Sequence, residues 1–530
     1  MKKLPHIILA QLNPTVGDLG GNFKKISDIL DKNRDADLVV FPEMVTTGYP
    51  TDDLVLNPYF MDRVEFHIKK LIEATKKSKT AFLLPTPWRE KDKLYNAALL
   101  IAEGNILHKV FKHHLPNYGV FDEKRIFEKG QSAQVFDLNG TKLGIMICED
   151  MWFPDVAANL KAQEADILIV PNGSPYQTNI HDMRTEQAYA RVKETNLPLI
   201  YVNQVGGQDE LVFDGHSFVM DETGVTTHQL PAFEEIACDL TKEHSYHPLK
   251  KTEEIYKAVT LGLHDYVHKN NFPGVLIGLS GGIDSALSAA IAVDAVGAEN
   301  VHCVMMPSPY TSEESLEDAQ ACAELLNVQL DMIAIEDIMD AFDKSMGNII
   351  DRMNAGTTFE NIQSRARGVL LMALSNATGK MVLSTGNKSE MAVGYATLYG
   401  DMCGGFNALK DLYKMQVYDL SEWRNEQSYV IPERIITKAP SAELKPNQTD
   451  QDTLPPYGIL DDILEHLIEK DTAPEQIPHD RETIMRVWKM LDMAEYKRRQ
   501  APPGVKITPR AFGRNRRYPI TNGFFRSNQS

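Results

Sequence analysis

The segment VLIGLSGGIDSALSAAIAV, residues 275–293, constrains the fold of this chain more than any other feature. An apolar, strand-like run ends at Ser280, Gly281 and Gly282, and an alanine-rich, helix-like run follows. In a strand, turn and helix of this kind, backbone amides and the helix N-terminus face an anion. The sequence therefore predicts a phosphate-binding turn in an α/β domain.

This turn lacks the lysine that closes a Walker A loop. In such a loop the lysine reaches the β- and γ-phosphates and favours γ-phosphoryl transfer. Here Asp284 is available for Mg²⁺ and Ser285 opens the helix. This set of residues suits the binding of a pyrophosphate leaving group. The alternative is that the segment is an ordinary glycine turn without a ligand.

Apolar runs and helical patterns alternate on both sides of a polar stretch at 241–254, so we predict two domains, 1–245 and 246–530. The runs that predict strands of a largely buried sheet in the first domain lie at 6–12, 37–42, 81–85, 96–101, 143–148, 166–171 and 198–203. Those that predict a doubly wound sheet in the second domain lie at 274–280, 301–307, 328–335 and 381–386. Segments rich in glycine or proline at 394–409 and 440–458 predict loops.

The composition restricts the possible partners and compartments. With 530 residues, 43% of them hydrophobic and 24% charged, the chain is long enough for two or more cores. The net charge of -18 argues against broad binding to nucleic acid or anionic lipid. No apolar stretch approaches a membrane span or a signal sequence, and this predicts a cytoplasmic protein. The five cysteines are scattered without CxxC pairs and indicate neither a disulfide framework nor a zinc site.

Three reactive side chains stand at the ends of apolar runs in the first domain. Glu43 follows LVVFP, Lys112 lies in KVFKHHLPNY, and Cys148 ends LGIMIC. This set is sufficient for acyl transfer, with Cys148 as nucleophile, Glu43 as base and Lys112 as the cation that stabilises the oxyanion. Taken singly, each has a structural alternative, as a small core residue or as solvated surface charge. The combination carries the hypothesis.

The motifs FPEM, KHHLPNYGVFDE and ICED around these residues resemble, in order and spacing, the Glu-Lys-Cys triad of the nitrilase and carbon-nitrogen hydrolase family. The resemblance implies a four-layer αββα sandwich. It also implies that a glutaminase domain binds glutamine through Tyr118, Glu149 and Ser174. Many relatives carry a basic residue shortly after that serine, whereas this chain has Ile180 there and Arg184 further on.

The loop SGGIDS resembles the SGGxDS loop of the N-type ATP pyrophosphatases, which adenylylate a carbonyl or carboxyl oxygen and release pyrophosphate. The resemblance implies Mg²⁺ as cofactor. The residues that it implies for ATP binding are Gly278, Leu279, Ser280, Gly281, Gly282, Ile283, Asp284, Ser285 and Thr385.

The stretch 360–401 resembles the NAD synthetases, and so does the basic C-terminal segment KRRQAPPGVKITPRAFGRNRRYPI. The resemblance implies that Asn361, Glu390 and Lys506 contact deamido-NAD, with Glu390 and Asp284 as metal ligands. It further implies that Arg365 and Arg367 lie near phosphates and that Lys414 reaches ATP. The structural alternatives are an amphipathic helix with an exposed arginine face and a solvated basic tail.

Together the two resemblances imply a single reaction. The first domain would free ammonia from L-glutamine, and the second would use ATP to adenylylate deamido-NAD before ammonia displaces AMP. An internal ammonia tunnel and a dimer built on the second domain are expected from the same resemblance. Three alternatives stay open: a different amidotransferase, an ATP pyrophosphatase that acts on RNA, and a scaffold without activity.

Overall fold

The structure is a computed structural model that describes residues 5–242, 246–346, 349–350, 355–446 and 448–524. The chain divides into two compact units, Met1–Leu249 and Lys250–Ser530. The predicted boundary near residue 245 falls on residues 243–245, which lie outside the described residues. Within the described part of the chain, no helix is both long and apolar enough to cross a bilayer.

The first unit alternates strands with helices. Its described strands are β1 (Ile7–Gln11), β2 (Leu38–Val40), β3 (Ala81–Glu90), β4 (Lys93–Ala102), β5 (Asn105–Phe111), β6 (Phe136–Leu138), β7 (Thr141–Ile145), β8 (Ile167–Asn172), β9 (Leu199–Asn203), β10 (Val205–Gln208), β11 (Leu211–Asp214), β12 (Phe218–Met220), β13 (Thr226–Gln229) and β14 (Ile236–Asp239). Its described α-helices are α1 (Leu19–Lys32), α2 (Pro58–Ala74), α3 (Glu123–Ile126), α4 (Pro154–Ala162) and α5 (Ile180–Thr195).

Two mixed sheets form the middle of this unit, in the orders β14-β1-β2-β3-β4-β5 and β13-β12-β9-β8-β7-β6. Side chains alternate across the first sheet: Ile8 and Ala10 pack with α1 and α2, whereas Ile7 and Leu9 pack with the second sheet. Helices α4 and α5 contact the second sheet. Because both faces of each sheet are covered, the inner strands β1, β2, β8 and β9 are buried throughout and read as largely continuous apolar runs. The αββα sandwich is confirmed.

The second unit is built around a parallel sheet. Its described strands are β15 (Val275–Gly278), β16 (Val301–Met305), β17 (Gln329–Met332), β18 (Met381–Ser384) and β19 (Phe406–Asn407). Its described α-helices are α6 (Lys251–Lys269), α7 (Ile283–Val296), α8 (Glu313–Leu326), α9 (Glu336–Met346), α10 (Thr358–Thr378), α11 (Lys388–Val393), α12 (Lys414–Gln427), α13 (Glu433–Thr437), α14 (Tyr457–Ile468), α15 (Arg481–Met493) and α16 (Glu495–Arg498).

The strand order β17-β16-β15-β18-β19, with every pairing parallel, confirms the doubly wound sheet. The chain order reverses between β15 and β18, and ligands of such sheets bind outside the carboxyl ends of the strands at this point. The glycine turn follows β15 and Thr385 follows β18. The sequence predicts a loop at 394–409. This prediction was wrong for two of its residues, because β19 lies within the segment.

Candidate active sites

Cys148 lies in a tight turn just beyond β7. Its backbone φ is +46°, which non-glycine residues rarely adopt and which the surroundings must therefore hold in place. Asp150 provides that support, because its carboxylate accepts hydrogen bonds from the amides of Ile147 (3.0 Å), His113 (3.1 Å) and His114 (2.7 Å). One buried carboxylate thus joins the Cys148 turn to the segment that follows Lys112.

Glu43 and Lys112 form a buried ion pair at the ends of β2 and β5. The Lys112 ammonium donates to Glu43 Oε1 at 2.7 Å, and both side chains are almost completely inaccessible to solvent. Asn96 donates to the same oxygen at 2.6 Å, and the amide of Gly173 donates to Oε2 at 2.7 Å. The Glu43 carboxylate is therefore held by three donors from different strands.

A second carboxylate, that of Glu123, shares the lysine. Its Oε1 accepts from Lys112 Nζ at 2.9 Å and from the Tyr49 hydroxyl at 2.8 Å. Its Oε2 is buried and has no hydrogen-bond partner within the described residues. Burial raises the pKa of Glu123 to about 7, with Lys112 opposing the rise and Glu43 adding to it. Sequence reasoning did not assign Glu123 a role, although the lysine motif KHHLPNYGVFDE ends on it.

The pKa shifts of Cys148 and Lys112 indicate which of the two groups is charged before the reaction. Burial raises the pKa of Cys148 well above its usual value, Glu43 adds to the rise and Lys112 opposes it. Burial lowers the pKa of Lys112, but Glu123 and Glu43 outweigh it and the pKa lies well above normal. The site at rest therefore contains a neutral thiol and a charged ammonium, so nucleophilic attack requires a base that takes the thiol proton.

Tyr118 and Glu149 meet at one cavity of this unit. The Tyr118 hydroxyl donates to both carboxylate oxygens of Glu149, at 3.0 and 2.9 Å. Both residues line the cavity together with His113, His114 and Phe153. Because Glu149 directly follows Cys148, the cavity reaches the residue next to the thiol.

Arg184 is fully occupied by the segment that contains Ser174. Its Nε donates to Ser174 Oγ at 3.0 Å, and its two terminal nitrogens donate to Asp214, to Ser174 O and to Pro175 O. The guanidinium is 1% exposed. Arg184 therefore supports the Ser174 segment. It is not a free cation that could replace the basic residue that many relatives have at the position of Ile180.

The glycine turn of the second unit is shaped by close contacts. Gly281 has a φ of +80°, and a Cβ at this position would lie 2.3 Å from the carbonyl oxygen of Ser315. The Ser280 hydroxyl accepts from the Gly282 amide at 3.3 Å, and Ser285 Oγ donates to the Gly282 carbonyl at 2.9 Å. These contacts fix the backbone at the start of α7.

A lysine from outside the turn neutralises Asp284. Lys414, at the start of α12 and 130 residues further along the chain, donates to Asp284 Oδ2 and, at 3.4 Å, to Glu390 Oε1. Asn387 donates to Asp284 Oδ1 at 2.8 Å. Burial raises the pKa of Glu390 to about 8, with Asp284 adding to the rise and Lys414 opposing it. One buried ammonium thus serves two carboxylates.

Most residues predicted for nucleotide binding line one cavity of about 300 Å³. The predicted residues that line it are Gly278, Leu279, Ser280, Gly281, Gly282, Ile283, Asp284, Ser285, Arg367, Thr385, Glu390 and Lys414. Arg367 Nε donates to the Met306 carbonyl at 3.0 Å. The cavity lies at the carboxyl ends of β15 and β18, the point in the sheet where the chain order reverses and where such folds bind ligands.

Asn361, Arg365 and Lys506 are not among the described residues that line this cavity. Asn361 Oδ1 accepts from Thr397 Oγ1 at 2.8 Å, and Arg365 Nε donates to the carbonyl of Leu398 at 3.2 Å. Lys506 is buried, and burial lowers its pKa to about 8 while Asp411 opposes the change. The nucleotide contacts assigned to these residues remain predictions.

Known proteins resemble the chain over its whole length. Residues 7–243 match the carbon-nitrogen hydrolase family, and residues 255–501 match the NAD synthase family. The glutamine-dependent NAD(+) synthetase of Rhodobacter capsulatus is 47% identical, with 98% of each chain covered. The chain belongs to the glutamine-dependent NAD(+) synthetases.

Other glutamine-dependent NAD(+) synthetases extend the similarity. The protein of Acinetobacter baylyi is 43% identical, with 98% of each chain covered. The solved structure of the Acinetobacter baumannii synthetase with adenosine diphosphate is 42% identical, with a TM-score of 0.79 over 98% of this chain and 99% of that one. The synthetase of Cytophaga hutchinsonii, at 20% identity and a TM-score of 0.86 over 99% of both chains, shares the fold.

Replacing Glu123 by glutamine should change how the stability of the protein depends on pH. Because the folded protein keeps the Glu123 proton until about pH 7 and the unfolded chain releases it near 4.5, wild-type stability falls as pH rises between these values. Glutamine cannot titrate, so the variant should lose this decline, and its free energy of unfolding relative to wild type should rise by up to a few kcal/mol between about pH 5 and pH 7. Thermal unfolding from about pH 5 to pH 8 measures the difference. The matched control is Glu186→Gln on the exposed side of α5, and parallel curves for all three proteins would contradict the prediction.

Gly281→Ala should weaken the binding of ATP. The added Cβ meets the Ser315 carbonyl and the φ of +80° disfavours any side chain, so the turn must move and ATP affinity should fall at least about tenfold. Isothermal titration with ATP measures the affinity. Gly458→Ala is the matched control, because a Cβ there meets no atom within 4 Å. Equal ATP affinity in the two variants would exclude this role for the turn.

Proposed function

We propose that this chain synthesises NAD(+) from deamido-NAD(+), ATP and L-glutamine, with L-glutamate, AMP and pyrophosphate as the other products. The observation that carries the proposal is that one chain contains both a buried Glu-Lys-Cys set and a glycine-turn cavity neutralised by Lys414. The family supplies the reaction, and the geometry supports a role for each group.

In the first unit, Glu43 takes the proton of Cys148 as the sulfur attacks the side-chain amide carbon of glutamine. The Lys112 ammonium stabilises the oxyanion that develops, and its two carboxylate partners keep it charged. Collapse of the tetrahedral intermediate breaks the carbon-nitrogen bond and releases ammonia, with the proton returned from Glu43. Water then hydrolyses the thioester, which yields glutamate and the free thiol.

Glutamine binding is assigned to the cavity that reaches Glu149, the residue after Cys148. Glu149 offers carboxylate oxygens to the N–H donors of glutamine, and Tyr118 orients that carboxylate through its hydroxyl. Ser174 forms part of a segment that Arg184 and Asn203 hold rigidly. Since Arg184 is already saturated, other groups must hold the glutamine carboxylate.

In the second unit, the glycine turn and the start of α7 receive the phosphates of ATP. A carboxylate oxygen of deamido-NAD(+) attacks the α-phosphorus, and the bond to pyrophosphate breaks. Lys414, Thr385 and Arg367 line the same cavity as the glycine turn. This supports a role for the Lys414 ammonium in stabilising the negative charge that accumulates on the leaving group. Ammonia then attacks the carbonyl of the acyl adenylate and AMP leaves.

Asp284 and Glu390 fit a magnesium site. Their carboxylates share one ammonium, and burial together with Asp284 raises the pKa of Glu390, so a bound divalent cation would stabilise the ionised form of both carboxylates. We propose that these two residues hold Mg²⁺. When bound, Mg²⁺ supplies positive charge that stabilises the phosphates of ATP and the pyrophosphate.

We also propose a dimer built on the second unit and a location in the cytoplasm. Val369 and Met372 on α10 are 67% and 40% exposed, an apolar face that a dimer built on the second unit would cover. All five cysteines are free, as expected for a reducing cytoplasm.

The reaction is tested by product analysis. Purified protein with ATP, Mg²⁺, deamido-NAD(+) and glutamine should give NAD(+), glutamate, AMP and pyrophosphate in equal amounts. Chromatography with mass spectrometry quantifies all four. ADP and phosphate in place of AMP and pyrophosphate would contradict the adenylylation step, and amidation of a different acceptor would indicate another amidotransferase.

Cys148→Ala separates the two half-reactions. Without the sulfur, glutamine-driven synthesis should fall at least about a thousandfold, because no acyl-enzyme can form, whereas synthesis from ammonium chloride should stay within about twofold. The matched control is Cys238→Ala, a buried cysteine of β14 outside the site. Loss of both activities in a folded Cys148→Ala protein would refute the division of roles.

A further inference from the structure

Three potential metal ligands cluster beside the glutaminase cavity and have no role in the proposed reaction. His114 Nε2 lies 2.8 Å from Asp155 Oδ1, and His113 Nε2 lies 3.8 Å from Asp155 Oδ2. One ligand atom from each residue falls within 4.8 Å of the other two. The histidines follow Lys112, and Asp155 belongs to the first turn of α4. Two separate elements therefore present their donors to one point.

The tautomer of His113 is the one that a metal ligand requires. Its Nδ1 lies 2.9 Å from the carbonyl oxygen of Gly130, and since a carbonyl only accepts, Nδ1 carries the hydrogen. The neutral ring therefore keeps its lone pair on Nε2, the atom that faces Asp155. A backbone carbonyl that orients an imidazole in this way is typical of protein metal sites. The amide of Gly130 donates to Lys112 O at 2.8 Å, so this carbonyl is itself fixed.

The remaining donors are also held in position. The His114 ring stacks on Phe153 with centroids 4.1 Å apart, and the backbone amides of both histidines bind Asp150. Asp155 accepts from the Val156 amide at 3.0 Å. Only small side-chain movements are therefore needed to bring three ligands onto one ion.

The chemistry of the cluster selects the kind of ion. Two imidazoles and one carboxylate suit Zn²⁺ and similar first-row transition ions better than Mg²⁺, which prefers oxygen ligands. Ligands of a tetrahedral ion with bonds of about 2.0 to 2.1 Å lie roughly 3.4 Å apart, and the two observed separations from Asp155 fall on either side of this value. Three protein ligands leave one position open to water.

We propose that His113, His114 and Asp155 bind a divalent transition-metal ion at the rim of the cavity that contains Tyr118 and Glu149. An ion there adds positive charge beside the Glu149 carboxylate and competes with the ammonium group of glutamine. Binding therefore raises the KM for glutamine and leaves ammonium-driven synthesis unchanged. This consequence rests on the proposed function, whereas the site itself does not.

The site is tested with Co²⁺, whose visible absorption reports its ligands. In excess Mg²⁺, which occupies the proposed site at Asp284 and Glu390, we expect one Co²⁺ per full-length chain, with bands of nitrogen and oxygen ligation and no thiolate charge-transfer band. Asp155→Asn and His114→Gln should each weaken binding at least about tenfold. Asp182→Asn, an exposed aspartate of α5, is the matched control and should bind as wild type does. Because Asp155 is exposed, its variant should keep the wild-type thermal transition.

Two outcomes would overturn the site: unchanged Co²⁺ affinity in both ligand variants, or a thiolate band that Cys148→Ala removes. The second arm compares KM for glutamine with and without saturating Co²⁺. A rise of at least about threefold in wild type but not in Asp155→Asn supports the effect on glutamine, and an unchanged KM in wild type refutes it. Failure of protein without Co²⁺ to make NAD(+) when ATP, Mg²⁺, deamido-NAD(+) and glutamine are all supplied would instead count against the proposed function.

Discussion

The organisation of the first unit depends on a buried ammonium, that of Lys112, between two carboxylates. Removing such charges from water costs several kcal/mol each, and the cost is offset only when geometry and additional hydrogen bonds are good. Here Asn96, Tyr49 and the Gly173 amide complete the arrangement around Glu43 and Glu123. These donors come from β4, from the segment after β2 and from the end of β8. Both sheets must therefore be in register before the charges are satisfied.

The second unit solves a similar problem with different elements. Lys414 lies between Asp284 and Glu390, and its position depends on the packing of α12. The two sites therefore share one arrangement, a buried ammonium paired with two carboxylates. In the proposed reaction, the charge of the first unit stabilises a developing oxyanion, and the charge of the second unit stabilises phosphates.

Much of this arrangement could be predicted from the sequence, because strand ends mark the sites. Glu43 and Cys148 stand directly after apolar runs, and the turn at 280–285 has its own composition signal. The strand before Cys148 nevertheless ends at Ile145, since the left-handed turn begins within the apolar run. Edge strands such as β13, which is polar and largely exposed, gave no apolar signal.

Partnerships across long sequence separations could not be predicted from local patterns. The bond from Lys414 to Asp284 spans 130 residues, and the bond from Gly173 to Glu43 also spans 130. The saturation of Arg184 by Asp214 depends on where β11 lies, and no spacing rule contains that information. The reactive side chains could thus be predicted from the sequence. Which charged groups balance one another became clear only from the fold.

The position of Lys414 has a consequence for the biogenesis of the protein. A Walker loop brings its lysine within the same turn, so its phosphate site is complete as soon as one strand and one helix have formed. In this chain Asp284 precedes Lys414 by 130 residues, so the carboxylate at the glycine turn has this ammonium beside it only after α12 has packed. A polypeptide that ends before residue 414 would contain the turn without the ammonium that balances Asp284. The charge balance of the turn is therefore a property of the assembled second unit and not of one strand, turn and helix alone.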